Sequence, residues 1–192
     1  MLSKLIHLLS GNKDQTSFVS DFSSVAVDLH SHLIPGIDDG VKVIEESIET
    51  LRNFSEMGFK KIITTPHIMA GGYDNTPEII LAGRDRVRDA LKKHEINIEF
   101  DAAAEYYLDE TMYDKIEKQR LLTLGKNYLL VEMSLVSKLN NSSDLDYKLQ
   151  VAGYNVILAH PERYPYYHGK NFENYYSLKD RGIFFQINLM SL

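Results

Sequence analysis

Residues 25–40 read VAVDLHSHLIPGIDDG. An apolar run stops, two histidines follow one residue apart, and an Asp-Asp-Gly triplet comes soon after. The chain has seven histidines and no cysteine, so two imidazoles where a strand should end are a notable concentration. Residues two apart on an extended segment point to the same side, which lets both rings face one cation. His30-x-His32 alone is weak evidence, because loop histidines are often satisfied locally.

Working outward, strand-like and helix-like runs alternate. Strands are expected at 25–29, 61–65, 96–105, 127–133, 155–160 and 183–189. Between them, residues 44–58 carry Ile44, Ile48, Leu51 and Phe54 at helical spacing, with Gly58 as a stop. The helix from Asn75 to His94 opens with Thr76 as N-cap and Pro77 in its first turn. Further helices are expected at 108–119, 142–153 and 171–182. Near-continuously apolar strands alternating with helices predict an α/β fold: a parallel sheet with helices outside it. Residues 1–24 read as an N-terminal arm that could pack on the domain or on a second copy, and 25–192 as one domain. Six βα steps are too few for an eight-stranded barrel. Either the barrel is small or the chain is the front part of a longer protein.

The composition narrows the function classes. The net charge of −6 gives no basic footprint for nucleic acid. No stretch is apolar for long enough to span a bilayer. The N-terminal apolar run is interrupted by Lys4 and His7, which argues against a signal peptide and for the cytoplasm. Without cysteine, a metal site must be built from imidazole and carboxylate, a donor set suited to Zn, Mn or Fe.

That donor set is present. His30 and His32 follow the first expected strand, His67 the second, Glu105 the third and His160 the fifth. Strand C-termini of parallel α/β folds open onto one face, so these groups should converge on one mouth together with Asp38 and Asp39. Glu132 ends the fourth strand and faces the same way. Gln186 and Asn188 end the sixth and are placed to hydrogen-bond there. The bland alternative is a set of unrelated polar residues at loop starts. It weakens as each further member falls at a separate strand end. Most of the twelve tyrosines are expected on the surface and at the rim.

The segments DLHSHLIPGIDDG, TTPH, AAEYY, ILAHPERY and FQINLMSL resemble the PHP phosphoesterase superfamily. Within it they look most like the bacterial tyrosine-protein phosphatases that accompany capsule and exopolysaccharide tyrosine kinases. The resemblance implies a distorted (β/α)7 barrel, here truncated at its C-terminal end, with up to three divalent cations. Manganese is the first expectation, with iron or zinc as alternatives. It implies His30, His32, Asp39, His67, Glu105 and His160 as metal ligands and Arg163 as a phosphate-binding catalytic residue. Asp39 is preferred to Asp38 because the family ligand directly precedes the glycine, here Gly40. The implied partner is a phosphotyrosine protein, a tyrosine-kinase tail. One departure is plain: the family's late Asp-x-His does not occur after His160.

Two alternatives stay open. One is a small-molecule phosphatase of the same superfamily, resembling histidinol-phosphate phosphatases. The other is a binding module or inactive fragment. For Arg163 the competing role is a surface ion pair with Glu162 or another nearby acid.

Overall fold

The structure is a computed structural model that describes residues 21–118, 121–137, 142–168 and 172–191. The expected arm falls outside these up to residue 20. From Asp21 the chain docks on the domain: the Phe22 N–H donates to the Met57 carbonyl at 2.8 Å, and its ring stacks on Phe59 at 5.4 Å.

The described elements run β1 (Val27–Asp28), α1 (Ile44–Glu56), β2 (Lys61–Thr64), β3 (His67–Ile68), α2 (Pro77–Lys93), β4 (Glu99–Ala102), β5 (Glu105–Tyr107), α3 (Thr111–Lys118), β6 (Tyr128–Glu132), α4 (Ser142–Val151), β7 (Asn155–Ala159), α5 (Glu173–Asp180) and β8 (Phe184–Gln186). Short 3₁₀ turns at Pro161–Arg163 and Pro165–Tyr167 lie between β7 and α5. All strand pairs are parallel, in two sheets ordered β1-β2-β4 and β3-β5-β6-β7-β8. The α/β class with parallel sheets is as the sequence led one to expect.

The strand count is not. Two expected strands are each followed at once by a second short one, β3 beyond 61–65 and β5 at the end of 96–105, so six become eight. Thr65 turns its N–H to the Ser31 carbonyl at 2.7 Å, and Pro66 has no N–H to give. The break separates β2 from β3. A matching break at Ala103 and Ala104 separates β4 from β5, while the backbones stay joined by Ala103 N–H to Thr64 O (2.9 Å) and Glu105 N–H to Pro66 O (3.1 Å). His67 and Glu105 therefore open strands of the second sheet, where the sequence reading had them follow the second and third strands. Their Cα atoms are direct partners in the β3–β5 ladder.

The helices cover the sheets with apolar stripes. α1 buries Ile48 and Leu51, and Ile44 and Phe54 pack partly buried on the same core. Val43 precedes α1 and cannot cap it, but Glu46 reaches back to the Lys42 and Val43 N–H groups. α2 starts as its sequence suggests, with the Thr76 hydroxyl accepting from Ile79 N–H, and it buries Ile80, Val87 and Leu91. Gly83 lets α2 close on the first loop: a Cβ there would lie 2.3 Å from Ile34 Cγ2. Three tyrosines depart from the expected surface role. Tyr106, Tyr164 and Tyr167 are core residues. The Tyr106 and Tyr164 hydroxyls accept from the Leu122 and Met133 N–H groups, so their rings bury without an unmet polar atom.

Gly83→Ala separates two opposed effects. Alanine favours a helix by about 1 kcal/mol over glycine, whereas overpacking costs about 1–3 kcal/mol. Because Ile34 is buried at 1% exposure, the clash should win. Urea unfolding should show a net loss of about 1–2 kcal/mol. Unchanged or increased stability would show that the α2–Ile34 contact yields freely.

Candidate metal centre

Two features aim the first histidine pair. The buried Thr64 hydroxyl donates to Ser31 O at 2.7 Å and accepts from Leu33 N–H at 2.9 Å, clamping the His-x-His segment across β2. The Asp-Asp-Gly loop then folds back so closely that a Cβ on Gly40 would lie 2.2 Å from His32 O. The close approach requires glycine at that position. It also delivers Asp38, which is buried.

Asp38 has an orienting role. Its Oδ2 accepts from His32 Nδ1 at 2.7 Å and from His67 backbone N–H at 3.1 Å, and its Oδ1 from Gly40 N–H at 3.0 Å. Gln186, at the end of β8, does the same for His30: its Oε1 accepts from Nδ1 at 2.6 Å. Carboxylate and amide oxygens only accept, so both Nδ1 atoms carry hydrogen and both Nε2 atoms face inward. Those two Nε2 atoms lie 3.4 Å apart.

Glu105 is the common target. Its Oε2 is 3.1 Å from His30 Nε2, 3.3 Å from His32 Nε2 and 3.5 Å from His67 Nδ1, and its Oε1 is 2.9 Å from His160 Nε2. Glu132, at the end of β6, lies 3.6 Å from both His67 Nδ1 and His160 Nε2. Asp39 is exposed and lies 3.6 Å from His67 Nε2. Its orienting neighbour Asp38 is the more buried of the pair. Three overlapping donor groups result: His30, His32 and Glu105; His32, Asp39 and His67; and His67, Glu105 and Glu132.

His160 holds its place under strain. It follows β7 with φ 32°, in the left-handed region that disfavours residues with a Cβ. Two bonds fix it there: its N–H donates to Gln186 Oε1 at 3.2 Å, and its ring meets Glu105. Arg163, on the 3₁₀ turn just beyond, is exposed. Among the described residues its side chain has no ion pair, neither with Glu162 nor with another acid. Its charge does act on Glu132.

The structure thus brings His30, His32, Asp39, His67, Glu105 and His160 into one cluster, with Arg163 at its edge. Sequence reasoning had set Glu132 aside because no motif claimed it. Its signal was its place at a strand end of the same mouth. Asp38 was passed over as a ligand, and its role as anchor needed the fold of the loop.

The protonation pattern follows from the crowding. Burial opposes a charge on His32, but its bonds to Asp38 and Glu105 outweigh that and raise its pKa to about 10. For His30 burial is likewise outweighed by Glu105, and the pKa rises. His67 accepts no such bond, and burial lowers its pKa. Burial would raise Glu105, but the imidazoles that bond to it hold it far below the usual carboxylate range. Glu132 has only longer contacts, so burial and then the Glu105 charge push it up to about 7. The crowding thus favours protons on His32, His30 and Glu132. Among the described residues, His67 Nδ1 and His160 Nδ1 are buried without a hydrogen bond. Convergent Nε2 atoms, imidazoles around a shared carboxylate and an unbonded buried nitrogen fit divalent cations.

The family profile described as capsular polysaccharide synthesis, CpsB/CapC, matches residues 26–192. The chain belongs to the CpsB/CapC family. It is 32% identical over 138 residues to tyrosine-protein phosphatase YwqE of Bacillus subtilis, covering 71% of this chain and 54% of that protein. Tyrosine-protein phosphatase CpsB of Streptococcus pneumoniae is 29% identical over 163 residues, 84% of this chain and 67% of the relative. The fold superposes with a TM-score of 0.77 and 31% identity on a chain from the crystal structures of YwqE and CpsB, unique metal-dependent tyrosine phosphatases. That match covers 84% of this chain and 65% of the other. The chain spans about half the length of the first curated relatives it matches.

Two expectations follow for this CpsB/CapC chain. Glu132 and His32 hold protons more tightly folded than unfolded, so their stabilisation is complete below about pH 4.5 and 6.5 respectively. It is lost as pH rises through about 7 for Glu132 and about 10 for His32. His67 works in the opposite sense. Cations compete with these protons, so the gain in Tm on adding Mn²⁺ should be larger near pH ~8 than near pH ~6. A gain that shrinks with pH would contradict the assignment. Glu132→Gln should weaken cation binding at least about tenfold with the fold intact, read by elemental analysis and circular dichroism. Unchanged metal content would remove Glu132 from the centre.

Proposed function

We propose that this chain carries the catalytic centre of a metal-dependent protein-tyrosine phosphatase, with His30, His32, Asp39, His67, Glu105, Glu132 and His160 as cation ligands. The observation that carries the reading is the convergence of four imidazoles on the two oxygens of Glu105, with the far nitrogens of His30 and His32 tied to Gln186 and Asp38. Up to three divalent cations are expected there, with manganese first and iron or zinc as alternatives.

When bound, such cations lower the pKa of water and offset charge on a phosphoryl group. The chain's own residues do the rest. Glu105 presents Oε1 toward His160 and Oε2 toward His30, His32 and His67, so one carboxylate can serve two cations. Asp38 and Gln186 keep the imidazole Nε2 atoms turned inward. Arg163 stands exposed and, among the described residues, without an ion pair, and its planar fork suits a phosphoryl group. A phenolate leaving group stabilises its own charge, which lessens the need for a strong acid. The substrate proposed is a phosphotyrosine-containing protein such as a tyrosine-kinase tail, in a cytoplasmic setting. Among the described residues no helix is long and apolar enough to cross a membrane. Counting β2 with β3 and β4 with β5 as broken staves, the two sheets read as six staves of a distorted seven-stranded barrel.

The late Asp-x-His does not follow His160 in this sequence, so the reading rests on the seven donors named. Purified chain with Mn²⁺ should hold two or more cations and hydrolyse a phosphotyrosyl peptide in preference to histidinol phosphate. Chelation should abolish turnover. Arg163→Ala should raise KM by about tenfold or more with the metal content kept. Well below one cation per chain, or turnover that survives chelation, would contradict the proposal.

A further inference from the structure

The loop between β3 and α2 places one tyrosine beside the donor cluster and holds it there. Met69 and Tyr73 exchange backbone hydrogen bonds, N–H to O at 2.9 and 2.8 Å, closing a tight turn. Gly71 takes φ 70° within it, a conformation that favours glycine, and its N–H donates to Asp74 Oδ1 at 2.8 Å. Asn75 Nδ2 then staples the loop to the site, donating to Ile37 O at 2.9 Å and His67 O at 2.8 Å. The Tyr73 ring lies on the His67 imidazole, centroids 5.3 Å apart and planes 12° from parallel.

Held this way against His67, Tyr73 is half-buried. Among the described residues its hydroxyl has no hydrogen-bond partner. Other tyrosines contrast with it: the core Tyr106 and Tyr164 and the partly buried Tyr166 all have bonded hydroxyls. The charges acting on the Tyr73 hydroxyl are Asp39, Asp38 and Glu132, the acids of the candidate centre. A hydrogen-bonded loop, an imidazole-stacked ring and a hydroxyl within electrostatic reach of the cluster's acids make a candidate donor.

We propose that Tyr73 is a substrate-binding residue whose hydroxyl donates a hydrogen bond to a phosphoryl oxygen bound at the donor cluster, while its ring stacks on His67. This rests on the metallophosphatase reading above. It adds a neutral donor on the side of the mouth formed by His67, apart from Arg163.

Tyr73→Phe keeps the ring and removes only the hydroxyl. The full chain and this variant, both loaded with Mn²⁺, should be compared by elemental analysis, by calorimetric binding of inorganic phosphate and by kcat/KM on a phosphotyrosyl peptide. Tyr128→Phe, whose ring packs edge-on against Phe184, serves as control. The expected result is unchanged metal content with phosphate bound about tenfold more weakly in Tyr73→Phe alone. Equal phosphate affinity in a wild-type chain that does hold cations would overturn this inference and leave the phosphatase reading standing. Loss of cations in Tyr73→Phe would also overturn it, because Tyr73 would then act through His67. A wild-type chain that binds neither cations nor phosphate would refute the phosphatase reading and this inference together.

Discussion

A single buried carboxylate organises the mouth of this protein. Glu105 is fully buried, and a carboxylate in that position is costly unless positive charge or strong donors surround it. Four imidazoles do so, one on Oε1 and three around Oε2. Removing one of them would leave part of that charge uncompensated. The same crowding puts His30 and His32 Nε2 within 3.4 Å of each other, both turned on Glu105 Oε2.

The sheets are broken in order to make this arrangement. An unbroken segment through Thr65 and Pro66 would carry His67 along the first sheet. The switch at Pro66 starts β3 at His67, directly beside Glu105 at the start of β5. Thr64 and Gly40 then bring the first loop against that junction, and the strained His160 closes it from β7. Strain at His160 and the close approach at Gly40 sit at the same centre, as expected where function sets the geometry.

Much of the site was legible because its residues are rare types in separate, well-marked segments. His30, His32, His67 and His160 stand out in a chain without cysteine, and each falls next to an apolar run. Helix α2 was legible from Thr76 and Pro77, whose capping chemistry is local. The breaks at Pro66 and at Ala103–Ala104 were not, because a segment that changes sheets keeps the same apolar pattern as one that does not. Glu132 was seen at its strand end but left unassigned, since a carboxylate there is also ordinary. Asp38 and Asp39 are neighbours with opposite tasks, and only the fold of the loop separates the buried anchor from the exposed donor. Most tyrosines do lie at the surface or rim, and nothing local singles out the buried Tyr106 and Tyr164, whose hydroxyl partners are backbone groups 16 and 31 residues away.

Anomalous diffraction at the manganese edge from crystals of the Mn²⁺-loaded chain tests the central claim most directly. The account predicts peaks within bonding distance, about 2.0–2.3 Å, of both Glu105 oxygens and of inward-facing imidazole nitrogens. Peaks confined to surface acids, with Glu105 still bonded only to the histidine rings, would contradict it.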